Sequence, residues 1–264
     1  EGPAAELSSP LKNLELILSP VKLAATIKAI PYRLDDLTGT VRLKDGRVSL
    51  DGVTFEGSVG RFALLVQIYT DMDGFSMNDV VFNNEIGEAP PAAFVNFDVY
   101  DGPGDAAAEP MSYSVGTATF AEGYSYDIAA SFMDIDATEA TFTGAADGFD
   151  IEDRVGHAID ANPTGGAGLV TWEAGHLYVT PNAFFAPFTT IADINRAVDV
   201  ADEGDVINVG DGAYSGRVDV DVEGVTVKGE STDAQLDGGF HLLADDITID
   251  GMTILNGDDS LVGV

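Results

Sequence analysis

The 264-residue chain contains no cysteine and few basic residues: 12 lysines and arginines stand against 45 aspartates and glutamates, which gives a net charge of -33. Without cysteine the chain has no disulfide bond, no zinc–thiolate or iron–sulfur site and no thiol nucleophile. A surface this acidic repels phosphate groups, so nucleic acids and anionic membrane surfaces are poor partners. No run of about 18 apolar residues is present, so no membrane span is predicted.

The composition that remains is typical of a folded, β-rich protein. Hydrophobic residues make up 45% of the chain, enough for a sizeable core. The 30 glycines and 11 prolines indicate many turns and short strands. Together with the absence of cysteine and the acidic surface, this pattern favours an extracellular or cell-surface location.

The charge is unevenly distributed along the chain. Residues 1–61 carry eight basic and eight acidic side chains and are neutral, whereas only four basic residues follow them. Such a shift indicates either a boundary between structural units or a first segment that packs against an acidic surface, for example that of the rest of this chain.

Short strands and turns are predicted for nearly all of residues 1–149, because apolar residues alternate with polar ones. Two such runs flank Asp45-Gly46, a typical hairpin turn. Two helices are predicted further on, one at 151–160 capped by Asp150 and one at 190–202 capped by Thr189 or Thr190. Between them, 168–172 and 176–180 are predicted as strands.

A repeat is the most informative pattern in the sequence. A turn followed by a short strand rich in β-branched residues occurs five times. Four of the copies form two pairs, and the two members of each pair are 27 residues apart; the fifth copy is weaker. The segments are 51–55 (DGVTF) and 78–82 (NDVVF), 223–227 (EGVTV) and 250–254 (DGMTI), and 139–144 (EATFTG). This recurrence predicts coils of a parallel β-helix, stacked about 4.8 Å apart around an apolar column.

Residues 178–257 contain a YVTP strand, an amphipathic helical segment, and then GDVINVGDGAYSG, GVTVKG and ITIDGMTILNG. This series resembles the opening of right-handed parallel β-helix proteins of the pectin-lyase-like superfamily, in which the helix covers the first coil. The resemblance implies an all-β fold: β-helix coils with a short capping helix near 190–202, preceded by a second β-rich segment. It does not fix an activity, because this fold hosts lyases, hydrolases, adhesins and structural proteins.

Two shorter resemblances concern the earlier part of the chain. Residues 148–182 resemble a linker unit between β-helical segments of very large bacterial surface proteins. Residues 34–57 are similar to the strand repeats of bridge-type lipid-transfer proteins of the AsmA-like kind. The expected organisation is a β-rich, β-helical segment at 1–149, a linker at 150–180 and the start of a parallel β-helix at 181–264.

Candidate site residues are few. Lyases of the superfamily need calcium and a basic residue, and only Arg217 and Lys228 follow the predicted helix, so no catalytic residue is assigned. Two sets of side chains are candidates for binding, each with a structural alternative. The first set is Asp219, Asp221 and Glu223, which alternate and share one strand face; this face could bind calcium or simply face water. The second set is Trp172 and Tyr178, which could stack on a sugar or form a hydrophobic plug.

The resulting expectation is a non-catalytic structural or adhesive module of a bacterial surface protein. Self-association end to end into a filament is expected through apolar residues at both ends, namely Leu14, Leu16, Leu18, Leu261 and Val262. A polysaccharide is the other partner considered. The alternatives are a polysaccharide lyase or hydrolase of the pectin-lyase-like fold and, third, a periplasmic lipid-transfer segment.

Overall fold

The computed structural model describes residues 15–18, 21–26, 33–44, 47–56, 62–68, 74–83, 93–99, 112–121, 126–130, 134–161 and 167–255. This part of the chain is mostly β-strand with two short helices. The first half contains β1 (Glu15–Leu18), β2 (Val21–Thr26), β3 (Arg33–Lys44), β4 (Arg47–Glu56), β5 (Phe62–Ile68), β6 (Gly74–Asn78), β7 (Val81–Asn83), β8 (Ala93–Val99), β9 (Ser112–Ser114), β10 (Thr119–Phe120), β11 (Ile128–Ala130), β12 (Asp134–Asp136) and β13 (Thr141–Phe142).

The second half begins with helix α1 and is again dominated by strands. It contains α1 (Gly148–Glu152), β14 (Val155–Gly156), β15 (Val170–Thr171), β16 (His176–Val179), α2 (Ile194–Val198), β17 (Val206–Val209), β18 (Gly212–Val220), β19 (Thr226–Gly229), β20 (Ala234–Leu242), β21 (Thr248–Asp250) and β22 (Thr253–Leu255). Neither helix of the described residues is long and apolar enough to cross a membrane.

The first strands pair antiparallel. β1 and β2 both lie along β3, and β3 pairs with β4. Lys44 is opposite Arg47, which leaves two residues for the connection. The hairpin predicted at Asp45-Gly46 is therefore confirmed by its strands, although the two turn residues lie outside the described ones.

Among the described strands that follow β4, every pairing is parallel. β6 returns to pair with β4, and from β7 to β15 the chain visits three sheets in rotation. Sheet 1 continues from β4 through β7 and β10 to β13. Sheet 2 is β5-β8-β11-β14, and sheet 3 is β9-β12-β15. Each strand of this part thus pairs mainly with the strand three places later in the chain, which requires long connections rather than hairpins.

The three sheets enclose one hydrophobic core. Buried side chains from sheet 1 (Val53, Phe120), sheet 2 (Ile128) and sheet 3 (Tyr113, Ile135) belong to the same cluster. The alternation predicted from the sequence follows from this arrangement, because one side of each strand faces the core and the other faces water.

The 27-residue repeat is confirmed for its first pair of copies. Thr54 lies beside Val81 and Phe55 beside Phe82, which is a step of 27 residues in the sequence. The weaker copy belongs to the same stack through Phe142, which pairs with Phe120. Between them the structure adds a copy that the sequence comparison missed, residues 118–120.

The second pair of copies does not stack in the predicted way. Thr226 and Val227 pair with Thr248 and Ile249, a step of 22 residues, so 223–227 is followed in sheet 4 by 245–249. The segment 250–254 instead contributes β22 to sheet 5, where Ile254 lies beside Leu236. The predicted 27-residue step is therefore wrong for this part of the chain.

The C-terminal part consists of two parallel sheets around a second core. Sheet 4 is β16-β17-β19-β21, and sheet 5 is β18-β20-β22. Helix α2 packs against β16 and β17, the first two strands of sheet 4, and against β18, the first strand of sheet 5. Its buried Ile194, Ala197 and Val198 join this core. The parallel sheets and the helix beside their first strands agree with the all-β expectation.

Both helices are shorter than predicted and start at other residues. α2 is capped by Asp193, whose carboxylate accepts from the Asn195 N–H at 3.0 Å. Thr189 cannot cap it, because its hydroxyl donates to the Asp160 carbonyl oxygen and accepts from the Phe185 N–H. α1 is likewise capped by Asp147, not by Asp150.

The residues predicted as a linker contribute to both halves of the fold. β14 and β15 are the last strands of sheets 2 and 3, and β16 is the first strand of sheet 4. The strands predicted at 168–172 and 176–180 are thus present as β15 and β16, but they lie in different sheets. Helix α1 packs against both β14 and β16.

Candidate functional site

The described residues concentrate their buried polar groups where the two cores meet. The chain buries Glu152, the last residue of α1, together with His157 and Asp160, which lie between β14 and β15; we call these three residues the junction cluster. Ile159, next to Asp160, packs into the C-terminal core, whereas Val155 packs into the N-terminal one. The junction cluster therefore lies on the segment that passes from one core to the other.

His157 connects the junction cluster to β15. The Val170 N–H donates to Nδ1 of His157 at 3.1 Å. Nδ1 is therefore the unprotonated nitrogen, so the neutral imidazole carries its hydrogen on Nε2. Nε2 lies 3.2 Å from Oε1 of Glu152 and donates to it.

Asp160 closes the turn that carries His157. Its Oδ2 accepts from the His157 N–H at 2.9 Å, and its own N–H donates to the His157 carbonyl oxygen at 3.1 Å. These bonds fix residues 157–160 as a compact turn. Both carboxyl groups of the cluster are deeply buried, with Glu152 1% and Asp160 4% exposed.

Burial shifts all three ionisation equilibria toward the neutral forms. It raises the pKa of Glu152 well above its usual range, and Asp153 adds to this by repulsion. It raises the pKa of Asp160 to about 7, although His157 and Arg196 act in the opposite direction. It lowers the pKa of His157, against the attraction of Asp160. The Glu152–His157 contact is therefore a hydrogen bond between neutral groups rather than an ion pair.

Arg196 on α2 ties the C-terminal part to the same turn. Its Nε donates to the Ile159 carbonyl oxygen at 2.5 Å, and one Nη donates to the carbonyl oxygens of Ala183 and Ile191 at 2.7 and 2.9 Å. The planar guanidinium thus satisfies three backbone acceptors at once, which a lysine could not do in the same geometry.

A second polar link joins α1 to the end of β16. The Asp153 carboxylate accepts from the Thr180 hydroxyl at 2.5 Å and from the Asn182 side-chain amide at 2.8 Å. Gly148 at the start of α1 lies against the Tyr178 ring, where an added Cβ would be 2.3 Å from a ring carbon. Only glycine fits at this contact.

Trp172 and Tyr178, predicted as a ligand platform or a plug, are brought together by the structure. Their rings stack with centroids 5.5 Å apart, and Trp172 also lies 5.9 Å from the His157 ring. Tyr178 meets Phe149 edge-on and donates its hydroxyl to Glu173 at 2.5 Å. Because these contacts occupy the rings and Tyr178 is only 9% exposed, the geometry favours the plug. Sugar stacking stays a prediction.

The three acidic residues predicted to bind calcium do not form a ligand group. Asp219 is bound by Arg217, with Nε at 2.8 Å, and by Nδ1 of His241 at 3.0 Å. The Arg217 hydrogen bond is the main cause that lowers the pKa of Asp219. In the described part of the chain no three His, Asp or Glu side chains are placed to hold a metal ion, and this includes Asp219, Asp221 and Glu223.

The residues predicted to mediate self-association are described only in part. Leu16 and Leu18 lie in β1, where they pair with Leu43 and Val41 of β3. Leu14, Leu261 and Val262 lie outside the described residues. At the other end of the fold, apolar side chains around β20 and β22 are exposed, namely Leu242, Leu243, Ile254 and Leu255.

Sequence reasoning missed the junction cluster. The sequence alone singles out none of Glu152, His157 and Asp160 as candidate site residues. Their signal is the interleaving of the three titratable residues with the apolar Ile151, Val155 and Ile159 over ten residues. A charged residue amid such neighbours is rarely buried without partners.

These contacts make a buried, hydrogen-bonded joint between the two cores. The junction cluster is buried, and the imidazole of His157 is hydrogen-bonded through both ring nitrogens.

No protein-family model matches the chain, and comparisons with curated proteins and with solved structures find no match.

Proposed function

We propose that the chain is a non-catalytic structural or adhesive module made of parallel β-helix coils, from a bacterial protein that acts outside the cell. The observation that carries the proposal is the rotation of parallel strands, from β7 to β15, through three sheets around one filled core. Stacking of this kind builds a stiff rod whose outer faces are free to vary. Coils of right-handed sense are expected, because parallel crossover connections are almost always right-handed.

The C-terminal sheets support self-association as the module's mode of assembly. β21 and β22 each have one edge without a partner among the described strands, and Ile254 and Leu255 beside that edge are exposed. An open strand edge with apolar side chains accepts a further strand. Asp245, Asp246 and Asp250 make this end acidic, so the strand would come from the neutral first segment of a second copy.

Sedimentation at increasing protein concentration tests this assembly. We expect the intact chain to associate, and a chain without residues 1–30 to remain a monomer. The substitution Ile254→Lys, which puts a charge beside the open edge, should also abolish association. Phe188→Lys, at an exposed apolar residue far from β22 in the sequence, is the matched control and should associate normally. An intact chain that stays monomeric at every concentration would refute the proposal.

A polysaccharide lyase or hydrolase is the second candidate, and one cluster favours it. Arg217, Asp219 and His241 lie together on the exposed face of sheet 5, a combination that can bind and deprotonate a sugar acid. Against it, the Asp219 carboxylate is already bound by both neighbours. The third candidate, lipid transfer, needs a continuous apolar groove, whereas the described cores are filled by side chains.

Incubation with polygalacturonate and with alginate separates the first two candidates. We expect no unsaturated product with or without calcium. Turnover that is lost in Arg217→Ala or Lys228→Ala would establish the enzyme instead. Arg154→Ala is unsuitable as a control because Arg154 forms a buried ion pair with Asp127. The control variant is instead Glu203→Gln, on an exposed turn.

A further inference from the structure

We propose that the junction cluster of Glu152, His157 and Asp160 takes up protons when the chain folds, so that the joint between the two cores is more stable in mildly acidic than in alkaline solution. The inference concerns the joint itself and holds whether or not the chain forms filaments. It rests on two carboxyl groups and an imidazole buried together on one nine-residue segment, from Glu152 to Asp160.

The surroundings of the cluster favour neutral carboxyl groups. Oε2 of Glu152 is buried and has no hydrogen-bond partner, so an ionised Glu152 would hold a charge that nothing compensates on that oxygen. His157 cannot supply the positive charge without cost. Its Nδ1 accepts the Val170 N–H, and a proton on Nδ1 would break that bond.

The other ionisable groups that face the cluster come from several elements. Asp153 on the α1 side and Tyr214 on β18 face Glu152, and Tyr126 faces Asp160. The positive group is Arg196 on α2, which attracts Asp160 but directs its donors to backbone carbonyl oxygens. Asp153 opposes ionisation of Glu152, and Glu152 opposes that of Asp160, whereas the two tyrosines stay neutral because their own pKa values are raised.

The cluster is mechanically connected to the C-terminal part. The Thr189 hydroxyl donates to the Asp160 carbonyl oxygen at 2.5 Å, and Arg196 donates to the adjacent Ile159 carbonyl oxygen. Ionisation of Asp160 or Glu152 would draw water toward residues 157–160, the turn on which both contacts depend. Loosening of this turn would therefore loosen the joint.

The direction of the pH effect follows from the pKa shifts. Burial raises the pKa of Asp160 to about 7 in the folded chain. Between its unfolded and folded pKa values, the folded state therefore binds more protons, and stability falls as the pH rises through about 7. Glu152, whose pKa burial also raises, acts in the same direction. His157, whose pKa burial lowers, opposes them as the pH falls below its unfolded value.

Urea unfolding of the full chain at about pH 6 and about pH 8.5 tests the proposal. For Asp160 alone, its folded pKa of about 7 predicts an unfolding constant about tenfold larger at the higher pH. Asp160→Asn keeps an acceptor for the His157 N–H and should remove about that tenfold dependence. Glu152→Gln, a separate variant, keeps the acceptor for Nε2 of His157 and should also reduce the pH dependence of the unfolding constant. Glu203→Gln, at an exposed acid, should leave it unchanged.

Trp172 provides a second, local measurement, since it is the chain's single tryptophan and its ring lies 5.9 Å from the His157 ring. We expect its emission to titrate near pH 7 under native conditions, and the titration to shift or vanish in Asp160→Asn. This measurement does not require the variants to match the wild type in stability. The proposal is wrong if both variants keep the wild-type pH dependence of unfolding, or if the wild-type emission does not change between about pH 6 and about pH 8.5.

Discussion

Nε2 of His157 lies 3.2 Å from Oε1 of Glu152, and both side chains are almost completely buried. The pair would look like an ion pair from distance alone. The Val170 N–H on Nδ1 fixes the neutral tautomer, so the contact is instead a directional hydrogen bond that holds α1 against β15. This single imidazole thus links a helix that contacts β16 to the last strand of sheet 3.

The first prediction concerns that imidazole. His157→Ala leaves the Val170 N–H and the Glu152 carboxyl without partners in a buried site, so we expect a loss of about 2–4 kcal/mol in the free energy of unfolding. Chemical denaturation monitored by circular dichroism measures it. His241→Ala, at an exposed histidine, is the control and should change stability little. Equal effects of the two substitutions would contradict the structural role of His157.

The second prediction tests the core of the N-terminal sheets. Phe120 is fully buried and stacks on Phe142 with ring centroids 5.4 Å apart. Phe120→Ala should therefore cost about 3–5 kcal/mol through lost burial and a cavity. Phe188 is 81% exposed, and Phe188→Ala should stay within about 0.5 kcal/mol of the wild type. Unfolding midpoints that do not separate the two variants would argue against a packed core at Phe120.

The strands of this core were largely predictable from the sequence, because their determinants are local. Alternation on either side of Asp45-Gly46 predicted β3 and β4, and the 27-residue step identified the stacking of β7 on β4. The copy at 118–120 was missed because the spacing along the chain varies between successive rounds. Connection lengths depend on loops, and no local pattern constrains those.

The register of the C-terminal sheets could not be predicted for a different physical reason. Gly224 and Gly251 both adopt positive φ, at 72° and 69°, and each precedes a short β-branched strand. The two corners use the same local chemistry although they lead into different sheets. Similar sequences there indicate similar turns, not neighbouring strands, and the 22-residue step becomes visible only in the pairing of β19 with β21.

The sequence signals the junction cluster only weakly, through the apolar residues between its members, because its burial comes from distant parts of the chain. Arg196 reaches Ile159 across 37 residues, and Thr189 reaches Asp160 across 29. From the local sequence alone, Arg196 and Thr189 would be interpreted as solvent-facing or helix-capping residues. Several possible capping residues lie close to each helix start. This explains why the sequence predicted caps at Asp150 and at Thr189 or Thr190, whereas the caps are Asp147 and Asp193.

The third prediction uses two adjacent glycines in β20. Gly238 has φ of 155°, and an added Cβ would lie 2.0 Å from the carbonyl oxygen of Gly216 in β18. Gly238→Ala must displace backbone, so we expect a loss of at least about 2 kcal/mol. Gly239→Ala meets nothing within 4 Å and should be tolerated. Thermal unfolding compares the two; a tolerated Gly238→Ala would mean that β18 and β20 are not in the described register.

The last prediction concerns the net charge of -33. Repulsion among the carboxylates destabilises the compact state, and salt screens it over about 10 Å at 0.1 M. We therefore expect the melting temperature to rise as sodium chloride increases from about 0.05 M to about 0.5 M. Calcium chloride at matched ionic strength separates screening from binding. A further rise with calcium that disappears in Asp219→Asn would reveal chelation at sheet 5, whereas equal rises indicate screening alone. A melting temperature that does not respond to either salt would mean that the acidic side chains are too far apart to repel one another.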